Sequence, residues 1–276
     1  MYPRIFTLQQ FELLGRHIGP LTLHTYGVAL AIAFLAGLWI AGREARREGL
    51  DSTRITDLGV YVLIAGLLGA KLMLVFVEWP MYKANPREIL SIFQLGGVFY
   101  GGLLGALPVA WWYARRHRLD GWRTADVLAP GVALGQAIGR LGCFAAGCCH
   151  GRPADVPWAV RYTDLYAART SGTPMDTPLH PSQIYESIAT ALIFAFLMWL
   201  APRKKFPGQV TLYYVSLYAV ARFGIEFYRG DAARGFLFNG LLSTSQFIAI
   251  GMLLAVAAFW PYLVKQHALA SSPSGR

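Results

Sequence analysis

Two arginines and a carboxylate have the type and spacing to handle an anion inside a membrane. Arg140 stands within an apolar run in the stretch GRLGCFAAGCCHG (residues 139–151), and Arg222 stands in another, with Glu226 four residues later on the same helical face. A charge at such depth costs at least a few kcal/mol, so it usually faces a protein interior or a wet cavity and marks a substrate site. The plainer alternative is a pair of arginines that snorkel to hold helix ends at the headgroup level. Glu226 argues against it, since an anchor needs no acid. Gly135, Gly139, Gly142 and Gly147 surround Arg140 and leave backbone uncovered for a neighbouring helix or a ligand. Because a guanidinium can bond two phosphate oxygens at once, the combination points to an anionic phospholipid headgroup. Lys71 is the third basic residue inside an apolar run.

The same stretch carries all three cysteines of the chain, Cys143, Cys148 and Cys149, next to His150. These are soft ligands of the kind that hold zinc or copper. Structural zinc motifs pair cysteines two to four residues apart and add a second pair elsewhere, which this chain lacks. The spacing therefore gives no expectation of a metal. A redox C-x-x-C pair is missing as well. A disulfide would leave one thiol over, and packing as small apolar residues accounts for at least two of the three. Further along, LHPSQIYE (residues 179–186) reads as a helix start with proline and serine in its first turn. His180, Gln183 and Glu186 then share a side that could line a pocket, although capping explains part of that pattern.

The elements that hold these residues follow from composition. The 276 residues are 55% hydrophobic and 14% charged, with a mean hydropathy of +0.41, more apolar surface than one soluble core can hide. The net charge of +10 sits in short clusters between apolar runs, which fits membrane topology and not a nucleic-acid partner. About seven stretches are long enough to cross a bilayer as helices, near 24–42, 57–77, 96–114, 126–146, 183–201, 209–228 and 241–264. The expected fold is thus an all-α polytopic membrane protein.

Basic clusters follow the first, third and fifth stretches: Arg43, Arg46, Arg47 and Arg54, then Arg115, Arg116, Arg118 and Arg123, then Arg203, Lys204 and Lys205. Short loops rich in Lys and Arg stay cytoplasmic. The N-terminus is then outside and the C-terminus inside. This divides the chain into an external segment 1–23 without a cleavable signal pattern, a membrane domain 24–264, and a cytoplasmic, disordered tail 265–276. A small external head at about 148–182 lies between the fourth and fifth helices, and its Trp158, Arg161 and Tyr162 are of types common at recognition surfaces. Trp111, Trp112 and Tyr113 read more simply as an interfacial belt.

Five motifs, LHTYG (23–27), GGVFYGGLLG (96–105), GRLGCFAAGCCHGRP (139–153), LHPSQIYE (179–186) and RFGIEFYRGD (222–231), together resemble the prolipoprotein diacylglyceryl transferases, in that family's order. The resemblance implies an enzyme of the bacterial inner membrane whose site opens toward the outer leaflet and periplasm. It implies transfer of the diacylglyceryl group of phosphatidylglycerol to the lipobox cysteine of a prolipoprotein signal peptide, with glycerol phosphate released and no cofactor. Carried over residue by residue, it makes Arg140 the phosphatidylglycerol ligand and Arg222 with Glu226 the second half of the catalytic site. It also places Tyr26 in the first span and Gly151 beside the lipid. Cys143 stands where the family commonly has asparagine, Cys148 where it has glutamate, and Lys71 where it has arginine. Tyr100 stands where many members have a histidine proposed as base, and a phenol with a pKa near 10 is a poor base at neutral pH. The rival classes are a non-enzymatic carrier or binder of anionic lipid and a relative using another acceptor. A carrier would more often show repeated halves with broken helices, and none are visible.

Overall fold

The computed structural model describes residues 3–8, 11–13, 16–18, 21–85, 97–230, 235–237 and 240–271. Gly96, Asp231 and the tail after Ser271 lie outside the described residues. The chain is predominantly helical, in the order β1 (Arg4–Leu8), β2 (Phe11–Leu13), β3 (Arg16–Ile18), β4 (Leu21–His24), α1 (Thr25–Arg47), α2 (Ser52–Val77), α3 (Trp79–Ala84), α4 (Phe99–Arg116), α5 (Gly121–Ala146), α6 (Leu165–Ser171), α7 (Ser182–Leu200), α8 (Gln209–Glu226), β5 (Phe236–Leu237), β6 (Leu242–Ser243) and α9 (Thr244–Ser271). Among the described residues, five helices are long and apolar enough to cross a membrane: Thr25–Arg47, Ser52–Val77, Gly121–Ala146, Ser182–Arg203 and Thr244–Leu269. They establish a multi-pass membrane architecture. The other two expected stretches are occupied by α4 and α8, helices of 18 residues each. The all-α expectation omitted three antiparallel pairs, β1 with β4, β2 with β3 and β5 with β6. Strands of two to five residues are too short to leave a readable period in the sequence.

The chain divides into two compact units, residues 1–40 with 125–276, and residues 41–124. In the second unit α2 and α4 meet backbone to backbone. A Cβ on Gly69 would strike the carbonyl oxygen of Gly101, and one on Gly105 that of Ala65. Gly101 and Gly105 of GGVFYGGLLG, with Gly69 opposite, thus serve close helix packing of the small-xxx-small kind. Asp51 caps α2 by accepting from the amides of Thr53 and Arg54.

In the first unit α5 packs on α1 in the same way, with Gly131 against the Gly37 carbonyl and Gly142 against Ala29 and Tyr26. Ala129 and Ala133 of α5, Ile193, Leu197 and Leu200 of α7 and Val210 of α8 form the buried core between the three helices. One end of α5 is fixed by Asp126, whose carboxylate accepts from Lys204 Nζ (3.0 Å), Gly208 N (2.8 Å), and both Thr211 N and Thr211 Oγ1 (2.9 Å each). The helix therefore presents its other end, with Arg140, in a set position.

Past α5 the chain forms a compact segment from Gly147 to Pro181. It is held by isolated β-bridges of Pro153 and Val160 with Leu179, and of Tyr162 with Met175. Within it, Asp164 caps α6 and Gly172 ends that helix in the left-handed conformation.

Candidate active site

Four charged side chains from three helices meet in one buried row. Arg140 Nη2 of α5 lies 2.9 Å from Glu186 Oε1 of α7. Glu186 Oε2 lies 3.7 Å from Arg222 Nη1 of α8, and Arg222 Nη2 lies 2.9 Å from Glu226 Oε2 one turn further on. Tyr218 OH donates to Glu186 Oε1 at 3.3 Å, and Arg222 Nη2 donates to Ser245 Oγ of α9 at 3.0 Å. The carboxylates are the deepest members, with 4% and 2% of their side chains exposed, against 23% for Arg140 and 12% for Arg222. Alternating signs make the row neutral, which is how charges survive in apolar surroundings.

The row is not saturated. Arg222 Nη1 is buried and has no hydrogen-bond partner among the described residues, the carboxylate oxygen at 3.7 Å being too far. A buried guanidinium N–H without an acceptor is costly to leave so. An anionic oxygen placed between Arg222 and Arg140 would satisfy it.

Around this row lie several other expected residues. Tyr26, exposed at the start of α1, packs by its ring against the place where a Gly142 side chain would stand, two residues beyond Arg140. Cys143 is buried one turn beyond Arg140. Gln183, one turn before Glu186, donates from Nε2 to the Cys148 carbonyl (2.7 Å) and to Tyr162 OH (2.9 Å), while its Oε1 is buried with no hydrogen-bond partner among the described residues. Tyr162 is fully buried, not on a surface, and burial pushes its phenol up to about 12, so it stays protonated.

Gly151 sits where three backbones cross. Its N–H donates to the His180 carbonyl at 3.0 Å, and a Cβ there would collide with His180 and with the Tyr228 carbonyl oxygen. Only glycine permits that approach. Beside it opens a cavity of about 760 Å³, whose lining includes Arg152, Trp158, His180, Tyr185, Tyr228 and Gly224. Tyr185 OH accepts from Trp158 Nε1 at 2.7 Å and lies 3.0 Å from His180 Nδ1. Burial, and then the charge of Arg152, hold the His180 imidazole below its usual pKa.

The structure thus joins Arg140, Arg222 and Glu226, sets Tyr26, Cys143 and Gln183 within the same first unit, and places His180 and Gly151 at the crossing outside the helices. Tyr100 belongs to the second unit, exposed in the first turn of α4, as does Lys71. The residue that sequence reasoning undervalued is Glu186, read as lining and found as the bridge between both arginines. Its signal was available: an acid inside an apolar stretch needs a buried cation, and two were on offer. Tyr218 and Ser245 gave no signal.

The sequence has known counterparts. The family profile of prolipoprotein diacylglyceryl transferases matches residues 15–262. The phosphatidylglycerol–prolipoprotein diacylglyceryl transferase of Clostridium tetani is 36% identical over 240 residues, covering 87% of this chain and 91% of its own. The proteins of that name from Pseudomonas paraeruginosa (34% over 266 residues, 94% of this chain and 96% of the relative) and Geobacillus kaustophilus (32% over 263 residues, 92% and 93%) are similar over nearly the whole length. On this match the chain belongs to the prolipoprotein diacylglyceryl transferase family.

Proposed function

We propose that this chain is a transferase that moves the diacylglyceryl group of phosphatidylglycerol onto the lipobox cysteine thiol of a prolipoprotein, the first step of bacterial lipoprotein maturation. The sulfur forms a thioether to the glyceryl carbon, the carbon–oxygen bond to phosphate breaks, and glycerol phosphate leaves carrying the bonding electrons. The thiol proton must be taken up, since the thiolate is the nucleophile. The carboxylates of Glu226 and Glu186 are the acceptors nearest the arginines. Arg140 and Arg222 hold the phosphate and stabilise its growing charge. The observation that carries this reading is the buried, unsatisfied Arg222 Nη1 beside the Arg140–Glu186 pair.

Neighbouring residues take subsidiary roles. The buried Gln183 Oε1 suits a hydroxyl of the glycerol headgroup, and Tyr26, Cys143, His180 and Gly151 border the substrates. Tyr100 contributes a hydrogen bond from its hydroxyl. Seven spans run with the N-terminus outside and the C-terminus cytoplasmic in the inner membrane, as the basic loops require. The site then opens toward the outer leaflet and periplasm. The segment at about 148–182 forms the external head that receives the signal peptide at its aromatic cavity.

Purified protein incubated with phosphatidylglycerol and a lipobox peptide should yield the thioether-linked product by mass spectrometry. Arg140→Ala and Arg222→Ala should each lower the rate by about 10²-fold or more. Full activity in both variants overturns the assignment. Glycerol phosphate release without peptide modification would mean a lipase-like activity, and no turnover at all would favour the carrier.

A further inference from the structure

The sulfur atoms of Cys143, Cys148 and Cys149 all lie within 4.8 Å of one another. One comes from the last turn of α5 and two from the turn that follows. The fold creates this convergence, because Gly147 with φ of 82° and Cys149 with φ of 59° turn the chain back over the helix end. A side chain in that left-handed region is uncommon. The turn is pinned through its carbonyls: Gly147 O accepts from Thr173 Oγ1 (2.7 Å), Cys148 O from Gln183 Nε2 (2.7 Å) and Cys149 O from Ser182 Oγ (2.9 Å). With the backbone held from outside, the thiols face one another, and all three are free.

We propose that Cys143, Cys148 and Cys149 form a binding site for one soft d10 cation held by three thiolates. Metal–sulfur bonds of about 2.3 Å would bring the sulfurs to roughly 4 Å apart, a contraction of less than about 1 Å from the distances present. Thiolates select copper(I) or zinc over oxygen-seeking cations such as magnesium or calcium. Each ligating thiol gives its proton to water as the metal binds. The guanidinium groups of Arg229 and Arg140 act on Cys149 and offset part of the negative charge that three thiolates leave around a monovalent or divalent ion. The site stands on sulfur geometry and does not depend on the transfer reaction.

The test is metal titration of the purified full chain in detergent without oxygen, using cadmium(II) as spectroscopic probe and copper(I) delivered from a competing chelator. One equivalent of cadmium should saturate an ultraviolet sulfur-to-metal band. Cys148→Ser and Cys149→Ser should each lower that band by about a third and weaken binding at least about tenfold. In the unaltered protein, where folding is not in question, bound metal should protect all three thiols from alkylation together. A band of undiminished intensity and unchanged affinity in both variants, protection of two thiols or fewer, or a thiol count revealing a disulfide in freshly isolated protein would each overturn the proposal.

Discussion

Replacing Glu186 by glutamine tests the charged row at its centre. The substitution keeps shape and one carbonyl acceptor for Tyr218, but it turns a neutral set of two arginines and two carboxylates into one with net positive charge. Removing one partner of a buried pair costs about 3 to 5 kcal/mol. Arg222 keeps Glu226 at 2.9 Å and Arg140 is 23% exposed, so the loss falls at the low end, about 3 kcal/mol. At 2 to 4 °C per kcal/mol, the melting temperature drops by roughly 6 to 12 °C. A ligand that returns the missing negative charge should return part of that loss. The assay is thermal unfolding in neutral detergent micelles doped with phosphatidylglycerol or with zwitterionic phosphatidylcholine. Phosphatidylglycerol should raise the melting temperature of Glu186→Gln more than that of the unaltered protein, and phosphatidylcholine should not. The transfer rate should still fall about 10²-fold, because the arginines lose the group that aims them. Equal lipid-induced shifts in both proteins, or a variant as stable as the parent without lipid, would refute the reasoning.

Two further outcomes concern residues outside the charged row. Asp126→Asn puts an NH₂ group opposite the Lys204 ammonium and the Gly208 amide, so stability should fall by about 3 kcal/mol. Transfer activity at a permissive temperature should persist, since Asp126 lies about 21 Å along α5 from Arg140; melting and activity measured on one preparation separate the two effects. For His180, the lowered folded pKa means that below about pH 6.5 the unfolded chain binds a proton that the folded chain resists. Stability should therefore decline as pH falls from 7 toward 5, and His180→Asn should flatten that part of the melting-temperature profile.

How far the sequence reveals this site depends on how unusual each residue is where it stands. Arg140, Arg222 and Glu226 are legible because a charge within an apolar run is expensive, and the four-residue spacing of the last two is read directly as a pair. Glu186 was discounted because the polar letters before it, HPSQ, equally describe a helix start; one turn of capping hides one turn of chemistry. Tyr218 and Ser245 are ordinary residue types for membrane helices, so only their contacts distinguish them. The long helices follow from length and hydropathy. The crossing at Gly151, the bridges to Leu179 and the meeting of three sulfurs depend on contacts between distant parts of the chain, which no local period encodes. Asp126 was invisible for a related reason: its partners lie in a loop and helix some eighty residues away. Glycines divide similarly, since Gly142 meets Ala29 and Tyr26 whereas Gly139 meets nothing within 4 Å.

If Arg140 and Arg222 hold the phosphate as proposed, the neutrality of the row has a catalytic consequence. Two bare arginines would bind a phosphodiester tightly in its ground state and gain little from its reaction, because tight binding of substrate and transition state alike does not raise the turnover rate. Here each arginine already has a carboxylate at 2.9 Å, so a headgroup phosphate with one negative charge must share them. As the carbon–oxygen bond breaks, that phosphate gains a second negative charge while the carboxylates gain none. The attraction of Arg140 and Arg222 for the leaving group grows against a competitor that does not grow, and that weakens where a carboxylate takes up the thiol proton, so the balance shifts toward phosphate as the transition state forms. The gap of 3.7 Å between Glu186 Oε2 and Arg222 Nη1 is where the shift can begin, because that donor has no hydrogen bond to give up. A carboxylate in the middle of an anion site thus weakens the resting complex and leaves the difference to be realised during transfer.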